Sequence, residues 1–522
     1  MAIAMISLAV RSVRGALARL SPSSHLYLYS RLSNANSYSE PSSLGGSTPN
    51  PKPNTFLARL IALLFFLLPS FVQRRLRLND SKHHRRRLYP TSWLDGLRGT
   101  ASLIVFICHY SGPDFGWYLA RPYGIPHEDD PISSSPLQLP FIRVIYSGKP
   151  MVHIFFVISG FVLSLKSLQQ ARKLEYDRLH CTLSSSVFRR GFRLFLPTTA
   201  STFMVMVMIR LGWLGQPLPT LWEQLIDWKN ALWKITFSWQ WDITQFLPYD
   251  VHLWTIPIEF SNSLLLYITL TGVSRMKTNL RLTSVLTMMA YCLRCGHWAA
   301  FEFFGGMVLA EIGLVEEARR ERVAAALQNK EEESDPAAPS GVSSSGSGSV
   351  KTVVIKAFLV GNLIFGLFVA GWPDEVNDIT PGIALLFRNT MEPYFSMGGD
   401  LVAFPWYALG AVQIVAALQQ VKVLQNLFIT PLAQYLADIS YALYLVHGPV
   451  LYVLEHRWMP YVWALVGGRE EAGMWGRMVA WFIGLIALGV PTIWGSDIFW
   501  RTVDVKTVKL SRWIEAQCMQ DD

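Results

Sequence analysis

An arginine and a histidine lie eleven residues apart in the apolar segment SWLDGLRGTASLIVFICHYSG, residues 92–112. On an α-helix, eleven residues make about three turns plus ~20°, so Arg98 and His109 share one face and are ~16 Å apart along the axis. Asp95 and Ser102 continue this face at helical spacing. A polar stripe on an apolar helix predicts a membrane helix that turns one side towards a cavity, where a neutral imidazole could accept a proton.

The composition indicates an integral membrane protein. Of the 522 residues, 51% are hydrophobic and 16% are charged, whereas soluble domains carry about 25% charged residues. The net charge is +9, and its densest block is RRLRLNDSKHHRRR, residues 74–87. Because this block adjoins apolar segments, we assign it to the cytosolic membrane surface and its anionic lipids, and we predict no nucleic-acid partner.

Ten apolar segments predict an all-α, polytopic membrane bundle of about ten transmembrane helices. The loops between them alternate between basic loops and acidic or aromatic loops, and this alternation places both termini in the cytosol. The ten segments are residues 93–112, 149–166, 193–213, 252–273, 281–297, 299–317, 353–372, 402–421, 432–453 and 474–497.

Further regions surround this bundle. Residues 1–55 are rich in Ser, Arg and Pro, which predicts a disordered cytosolic tail, with a mitochondrial presequence as the alternative. Residues 56–90 predict an interfacial helix followed by the basic segment. The transmembrane domain is assigned to residues 91–500, with a disordered cytosolic linker at 318–352, because that stretch is charged and rich in Ser and Gly. Residues 501–522 are assigned to a cytosolic tail.

No metal site is predicted. The five cysteines are scattered along the chain, and the C-x-x-C pair of Cys292 and Cys295 lacks the second ligand pair that a structural zinc site needs. We therefore expect ordinary buried cysteines.

Five motifs occur in the order in which they occur in the membrane acyltransferase-3 family. WLDGLRGTASLIVFICHY resembles its first span, with an Arg, ten residues and a His, and HIFFVISGFVLS resembles its second. FRRGFRLFLP resembles the basic entry to the third span, and HLWTIPIEF and ISYALYLVHGPV resemble two later motifs. Pro257 and Gly448 depart from the usual residues but leave the polar positions intact. The resemblance covers residues 90–500, and the long head and mid-chain linker resemble the fungal branch.

The resemblance implies an O-acyltransferase that transfers groups other than amino-acyl groups. An acyl group, with acetyl expected, would pass from acyl-CoA to a hydroxyl of an acceptor across or within the membrane. Acyl-CoA would be the donor substrate, no permanently bound cofactor is expected, and the acceptor would be a small molecule, a sugar or a lipid. The endoplasmic reticulum or the plasma membrane is the expected location.

Two other classes of function compete with acyl transfer. A proton-coupled transporter also carries His, Glu and Arg in its spans, but no inverted-repeat signal or pair of broken helices is present. A catalytically inactive scaffold is disfavoured because Arg98 and His109 are both retained.

In the predicted topology, four histidines fall in one layer near the outer surface, and Glu259 lies two turns deeper. We predict that His109 is the general base that takes the acceptor's proton, with Arg98 and Glu259 as further catalytic residues. A structural hydrogen bond for His153, an interfacial position for His252 and an orienting role for Glu259 are the alternatives. The predicted pocket-lining residues are Asp95, Ser102, His153, His252 and His447.

Four arginines are predicted to bind the phosphates of acyl-CoA at the cytosolic end, because a guanidinium binds phosphate in bidentate geometry. They are Arg98, Arg189, Arg190 and Arg193. Plain positive-inside residues are the alternative for the last three, and an ion pair with Asp95 is the alternative for Arg98.

The predicted topology can be tested with accessibility tags. Tags inserted in residues 330–350 and at the C-terminus should both be cytosolic, and a tag in residues 376–390 should lie on the opposite side, because the basic loops stay inside. Protease protection of sealed vesicles measures each position. A linker tag and a C-terminal tag on different sides would contradict the ten-span assignment.

Overall fold

The computed structural model describes residues 55–77, 88–128, 134–239, 247, 249–333 and 347–519. Its regular structure is helical, and these residues contain no β-strand, which confirms the all-α fold class. The predictions for residues 1–54 and for the middle of the linker, residues 334–346, lie outside the described residues.

The described residues before Arg86 form a unit of their own with two helices, α1 (Thr55–Leu67) and α2 (Ser70–Arg77). Pro69 separates them, and the side chain of Gln73 donates hydrogen bonds of 3.1 and 2.7 Å to two carbonyls at the end of α1. Several large apolar side chains of α1 are exposed, which agrees with the interfacial helix that remains a prediction for this region.

The second unit, from Arg86 onwards, is a bundle of long helices joined by short helical turns. Its longer helices are α3 (Ser92–Leu119), α4 (Gly148–Arg172), α5 (Tyr176–Arg210), α6 (Leu221–Thr236), α7 (Thr255–Val273), α8 (Thr278–Arg294), α9 (Trp298–Glu333), α10 (Ser347–Ala370), α11 (Phe404–Gln420), α12 (Pro431–Ala464), α13 (Met474–Phe499) and α14 (Val505–Cys518).

Each of the ten predicted spans coincides with one of these helices, but the helices are often longer. Eight of them in the described part of the chain are long and apolar enough to cross a membrane. The other two are α3, in which Asp95, Arg98 and His109 lower the mean hydropathy, and α8, which has 17 residues. A polytopic bundle is therefore confirmed, and the count of ten remains a prediction.

Two predicted non-helical regions are partly helical. Helix α9 continues to Glu333 and α10 begins at Ser347, so both ends of the segment expected to be a disordered linker are helical. A π-turn at Trp500–Asp504 joins α13 to α14, so the segment expected to be a C-terminal tail continues the last helix. Glu515 in α14 pairs with Arg189 at 3.0 Å and holds α14 against α5.

Helix α3 packs closely against α12, and small residues allow this contact. A Cβ atom added to Gly99 would lie 2.3 Å from the backbone nitrogen of Ala437. Close backbone approach at small residues is the usual way in which membrane helices associate, since lipid tails exert no hydrophobic force between helices. The buried Ser102 hydroxyl donates a 2.9 Å hydrogen bond to the carbonyl of Ser440 on the same helix. Helix α12 therefore fixes the depth and rotation of α3.

Candidate active site

Helix α3 is continuous through Arg98 and His109 and contains Pro113 only beyond them. Arg98 donates a 3.3 Å hydrogen bond to the carbonyl of Ala437, near the start of α12. His109 lies beside His447, much further along α12, with ring centroids 5.1 Å apart. We call the two ends of this contact the arginine end and the histidine end of the bundle.

Three histidines meet at the histidine end. His109 is 3.9 Å from His252 and 5.1 Å from His447, and His252 is 4.8 Å from His447, measured between ring centroids. They come from α3, from the short helical turn before α7, and from α12. The structure thus brings together three of the four histidines that the predicted layer contained.

The hydrogen bonds of two of these rings fix their tautomers. The Nδ1 of His447 is 3.0 Å from the carbonyl oxygen of Leu443. A carbonyl oxygen can only accept, so Nδ1 carries the proton and donates it. The Nδ1 of His252 is 2.7 Å from a carboxylate oxygen of Asp250 and donates to it in the same way. Each ring therefore keeps a lone pair on Nε2, and the Nε2 of His447 is buried without a hydrogen bond to the described residues. His109 makes no hydrogen bond to the described residues, so its ring is free to act.

Asp250 is a site residue that the sequence analysis missed. Its Oδ1 accepts hydrogen bonds from the backbone nitrogen of His252, at 2.9 Å, and from the ring, and its side chain is almost fully buried. An aspartate directly before a helical turn is a common N-cap. The sequence signal that could have identified Asp250 is this N-cap preference, because Asp250 stands two residues before His252.

Gly448 makes room for this pair. A Cβ atom at Gly448 would lie 2.6 Å from the Nδ1 of His252 and 3.4 Å from the Oδ1 of Asp250. Real Cβ contacts are essentially never this short, so a larger residue would displace the His252 ring. The glycine that departs from the family's usual aromatic residue is thus the position against which His252 packs.

His153 lies elsewhere, which corrects the predicted layer of four histidines. Its Nδ1 pairs with the carboxylate of Glu302, and both side chains are buried. Its ring packs 4.7 Å from Trp298 and 4.9 Å from Phe404. Helix α4 turns His153 towards Glu302 and away from His109.

A cavity of about 230 Å³ begins at the arginine end. Arg98, Arg190, Arg193 and Glu259 line it, together with Asp438 and Asp504. Arg98 and Arg193 are exposed, and Arg193 makes no ion pair with the described residues. The apolar wall is formed by Val152, Phe155, Phe156, Leu194 and Ile256.

Several predicted site residues do not line this cavity. Arg189 pairs with Glu515 and donates to the carbonyl of Ser185 at 3.2 Å. Asp95 lies 3.7 Å from Arg98, which is the ion pair offered as an alternative. Ser102 serves the contact between α3 and α12, and none of the three clustered histidines, His109 included, reaches the cavity wall.

Glu259 is held by hydrogen bonds from two neighbours. Its carboxylate pairs with Arg190, and Ser159 donates to the same oxygen at 2.8 Å. Arg190 also donates to Ser263 at 2.7 Å. A carboxylate paired in this way positions Arg190 and offers no free lone pair on Oε1, which favours the orienting role over proton transfer.

Two hydroxyl groups separate the cavity from the histidines. The hydroxyls of Thr255 and Tyr444 are 2.6 Å apart, both residues line the cavity, and the Tyr444 hydroxyl donates to the carbonyl of His252. The Tyr444 ring lies 6.0 Å from that of His447. The cavity thus leads from the arginines to a hydroxyl pair directly beneath the histidine cluster.

The histidine cluster is also a group that could hold a metal ion, which the sequence analysis did not predict. One nitrogen atom from each of His109, His252 and His447 lies within 4.8 Å of the others. Ligand nitrogens around tetrahedral zinc, with Zn–N bonds of ~2.0–2.1 Å, are ~3.4 Å apart.

This helical bundle, with ionisable groups at two levels and a cavity that begins at one of them, has the architecture of a polytopic membrane protein. Residues 91–501 match the model of the acyltransferase-3 family, described as an acyltransferase domain. The chain belongs to this family, as its motifs predicted. The apolar helices and the family together indicate an integral membrane protein.

Three fungal proteins are similar over most of their length. The O-acetyltransferase PaAT-1 of Phomopsis amygdali is 33% identical over 469 residues, 84% of this chain and 87% of that protein. Acyltransferase R4 of a Phoma species is 27% identical, over 73% of this chain and 86% of that protein. Acyltransferase clz18 of Cochliobolus lunatus is 26% identical, over 72% and 86%. No solved structure matches the chain.

These relatives support acyl transfer by this chain and do not favour the transporter alternative. They also agree with the fungal branch that the sequence resembles.

The position of His252 can be tested at Gly448. We expect Gly448→Ala to displace the His252 ring and to lower kcat for acyl transfer at least ~10-fold, with a smaller change in donor affinity, because the arginine end is untouched. Gly116→Ala on α3 is the matched control, since a Cβ there meets nothing within 4 Å. Equal kcat values for the two variants would contradict the role given to this contact.

Proposed function

We propose that the protein transfers an acyl group, with acetyl as the expected one, from acyl-CoA to a hydroxyl of an acceptor. The observation that carries the proposal is the cavity that leads from Arg98 and Arg193 to the hydroxyl pair beneath the three histidines. The arginine end suits a phosphorylated donor, and the histidine end suits removal of a proton. The O-acetyltransferase relative supports acetyl as the group that is transferred.

His109 acts as the general base in this proposal. Its ring takes the proton from the acceptor hydroxyl as the oxygen attacks the thioester carbonyl. The new C–O bond forms, the C–S bond breaks, and the proton passes from the imidazolium to the departing thiolate of CoA. His252, oriented by Asp250, and His447, oriented by the carbonyl of Leu443, surround the base with acceptor nitrogens.

The cavity hydroxyls act on the other side of the thioester. Thr255 and Tyr444 are the hydroxyl donors nearest to the histidines along the cavity wall. Because the Tyr444 hydroxyl donates to the carbonyl of His252, Thr255 is the donor within the pair. When the acyl donor enters, the Thr255 hydroxyl can turn from Tyr444 to the carbonyl oxygen of the thioester. A donor aimed at the developing negative charge lowers the barrier, because its position is set before the reaction.

The donor's phosphates lie at the arginine end. Arg190 is held by the nearly buried Glu259, whereas Arg98 lies 3.7 Å from a half-exposed Asp95 and Arg193 makes no ion pair with the described residues. Arg98 and Arg193 are therefore the arginines of the cavity wall that we assign to phosphate. Asp438 and Asp504 also line this region and keep the wall from being uniformly basic. The extended pantetheine arm would reach from these arginines towards His109, which lies ~16 Å from Arg98 along the axis of α3.

We also propose that the arginine end faces the cytosol, where acyl-CoA is made, and that both termini are cytosolic. Residues 1–55 would then be a cytosolic tail, and α1 and α2 would lie on the anionic lipid surface. The endoplasmic reticulum or the plasma membrane is the proposed location. The acceptor, a small molecule, a sugar or a lipid, would approach the histidine end.

The proposed reaction can be tested with purified protein, labelled acetyl-CoA and cell extract. Wild type should label an acceptor with alkali-labile acetyl ester, and His109→Ala should lose ~10²–10⁴ of this rate, the usual contribution of a general base. Activity should also fall at acidic pH, since a protonated ring cannot accept a proton. Turnover against pH measures both effects in one detergent.

A control separates catalysis from folding. His109→Ala should still insert and still bind acetyl-CoA, and His109→Gln should not restore the rate, because an amide cannot accept a proton at neutral pH. His153→Ala, in the separate pair with Glu302, should affect folding more than the pH profile. Full activity of His109→Ala would show that another residue is the general base.

The donor end can be tested by binding. Arg98→Ala and Arg193→Ala should each weaken acyl-CoA binding by roughly 1.5–3 kcal/mol, the usual value of a charge-assisted hydrogen bond, which is about 10-fold to 150-fold. Lys should restore binding only partly, because the bidentate fork is lost. Isothermal titration measures these affinities. Arg189→Ala, on the same helix as Arg193, is the matched control. An equally large loss of binding in this variant would mean that overall positive charge, and not a specific contact, binds the donor.

A further inference from the structure

A second cavity, of about 330 Å³, lies at the histidine end but outside the reaction site. Its wall includes Lys149 at the start of α4 and the loop residues Asp374 and Asp400. A Cβ atom at Gly148 would touch Cys108, the neighbour of His109, so this end of α4 lies at the level of the histidines. None of the three clustered histidines lines this cavity.

The polar groups of this cavity are only partly used. The Lys149 ammonium lies 2.9 Å from Oδ1 of Asp374 and 2.8 Å from Oδ1 of Asp400. The second oxygen of each carboxylate makes no hydrogen bond to the described residues. Asn377 also lines the cavity, and its Oδ1 has no partner in the described part of the chain. Several acceptors therefore surround one shared cation.

Asn377 and Tyr407 supply an independent sign of a ligand. The Oδ1 of Asn377 is buried without a partner in the described residues, and leaving such an acceptor unpaired costs roughly 1–3 kcal/mol. Tyr407 is only 4% exposed as a residue, but its hydroxyl is accessible from the cavity and makes no hydrogen bond to the residues that the structure describes. A polar molecule in the cavity would donate to the Asn377 oxygen and would also reach the Tyr407 hydroxyl.

The Asp374 and Asp400 side chains are 60% and 64% exposed, so a ligand that donates hydrogen bonds can replace the water at their second oxygens. An ammonium ligand would have to approach Lys149, which already occupies the position between the two carboxylates. A hydroxyl group donates to the free carboxylate oxygens without this repulsion, and it accepts from Lys149 or Tyr407 as well. The charge arrangement therefore favours neutral hydroxyl groups over a second cation.

The rest of the wall suits the apolar face of such a molecule. Trp372, Phe387 and Phe395 line the cavity, and Phe395 is exposed. Aromatic rings offer large, rigid contact surfaces beside polar groups. The volume is at the lower end of the ~300–1,000 Å³ range of small-molecule sites, which fits a molecule of the size of a hexose.

We propose that this cavity is a second binding site, which takes a neutral polyhydroxylated molecule such as a sugar or a polyol. Carboxylate oxygens of Asp374 and Asp400 and the Tyr407 hydroxyl bind its hydroxyl groups, and the aromatic wall covers its C–H face. The proposal rests on this cavity alone and does not depend on acyl transfer.

Methyl glucoside is the probe for the test, with the protein in a detergent that carries no sugar. Saturation-transfer NMR should give a saturable signal with wild type. Tyr407→Phe should weaken binding about 2-fold to 10-fold, because one hydrogen bond is lost, and the double change Asp374→Ala with Asp400→Ala should abolish it.

Two controls remove the effects of folding. Tyr394→Phe also removes a hydroxyl without a partner in the described chain, but outside the cavity wall, and Asp378→Ala removes an acid from the same loop. Both should bind methyl glucoside as wild type does. No saturable signal, equal signals from all variants, or tighter binding of choline than of methyl glucoside would overturn the proposal.

Discussion

The close contact between α3 and α12 is the constraint on which the site depends. Arg98 and His109 lie on α3, and α12 supplies the carbonyl of Ala437 to the first and the ring of His447 to the second. A contact at one end alone would let α3 rotate and separate the two functions. Gly99 at the arginine end and the hydroxyl of Ser102 fix the rotation instead. Arg98, the proposed donor-binding group, and His109, the proposed base, therefore keep one spacing, which is set by the rise of a single helix.

The buried polar cluster at the histidine end is held together by contacts between residues that are close in sequence or directly packed. Asp250 caps the turn that carries His252, and the same oxygen orients the ring, so that one carboxylate serves both the backbone and the side chain. Gly448 then lets the ring lie against α12. Each hydrogen bond removes one tautomer and leaves a lone pair on Nε2. A carboxylate that is this deeply buried is stable only with such partners, which links the local cap to the chemistry of the cluster.

The features that could be predicted from the sequence are those that depend on residues close together in the chain. The shared helix of Arg98 and His109 follows from periodicity, and the all-α class follows from apolar length and composition. The position of His153 was wrong because depth can be estimated from a span boundary, whereas the direction of a side chain depends on the neighbouring helices. Helix α4 turns that residue towards Glu302. Asp250 was missed because it lies before the apolar segment, and Arg189 was included because a run of arginines does not reveal which one Glu515 neutralises.

The pairing of charges explains why the two ends can carry out different steps. At the arginine end, Glu259 neutralises Arg190, so the wall offers a limited number of cations and holds them on rigid helices. At the histidine end, the described hydrogen bonds involve carbonyls and one carboxylate, and no arginine or lysine contacts the three rings in the described residues. A phosphate is attracted to the first environment and a neutral hydroxyl can enter the second without losing a strong charge partner. Because the Thr255–Tyr444 hydroxyl pair lies between the two environments, the proposed reaction requires the thioester of the donor to reach this pair while the charged part of the donor stays among the arginines.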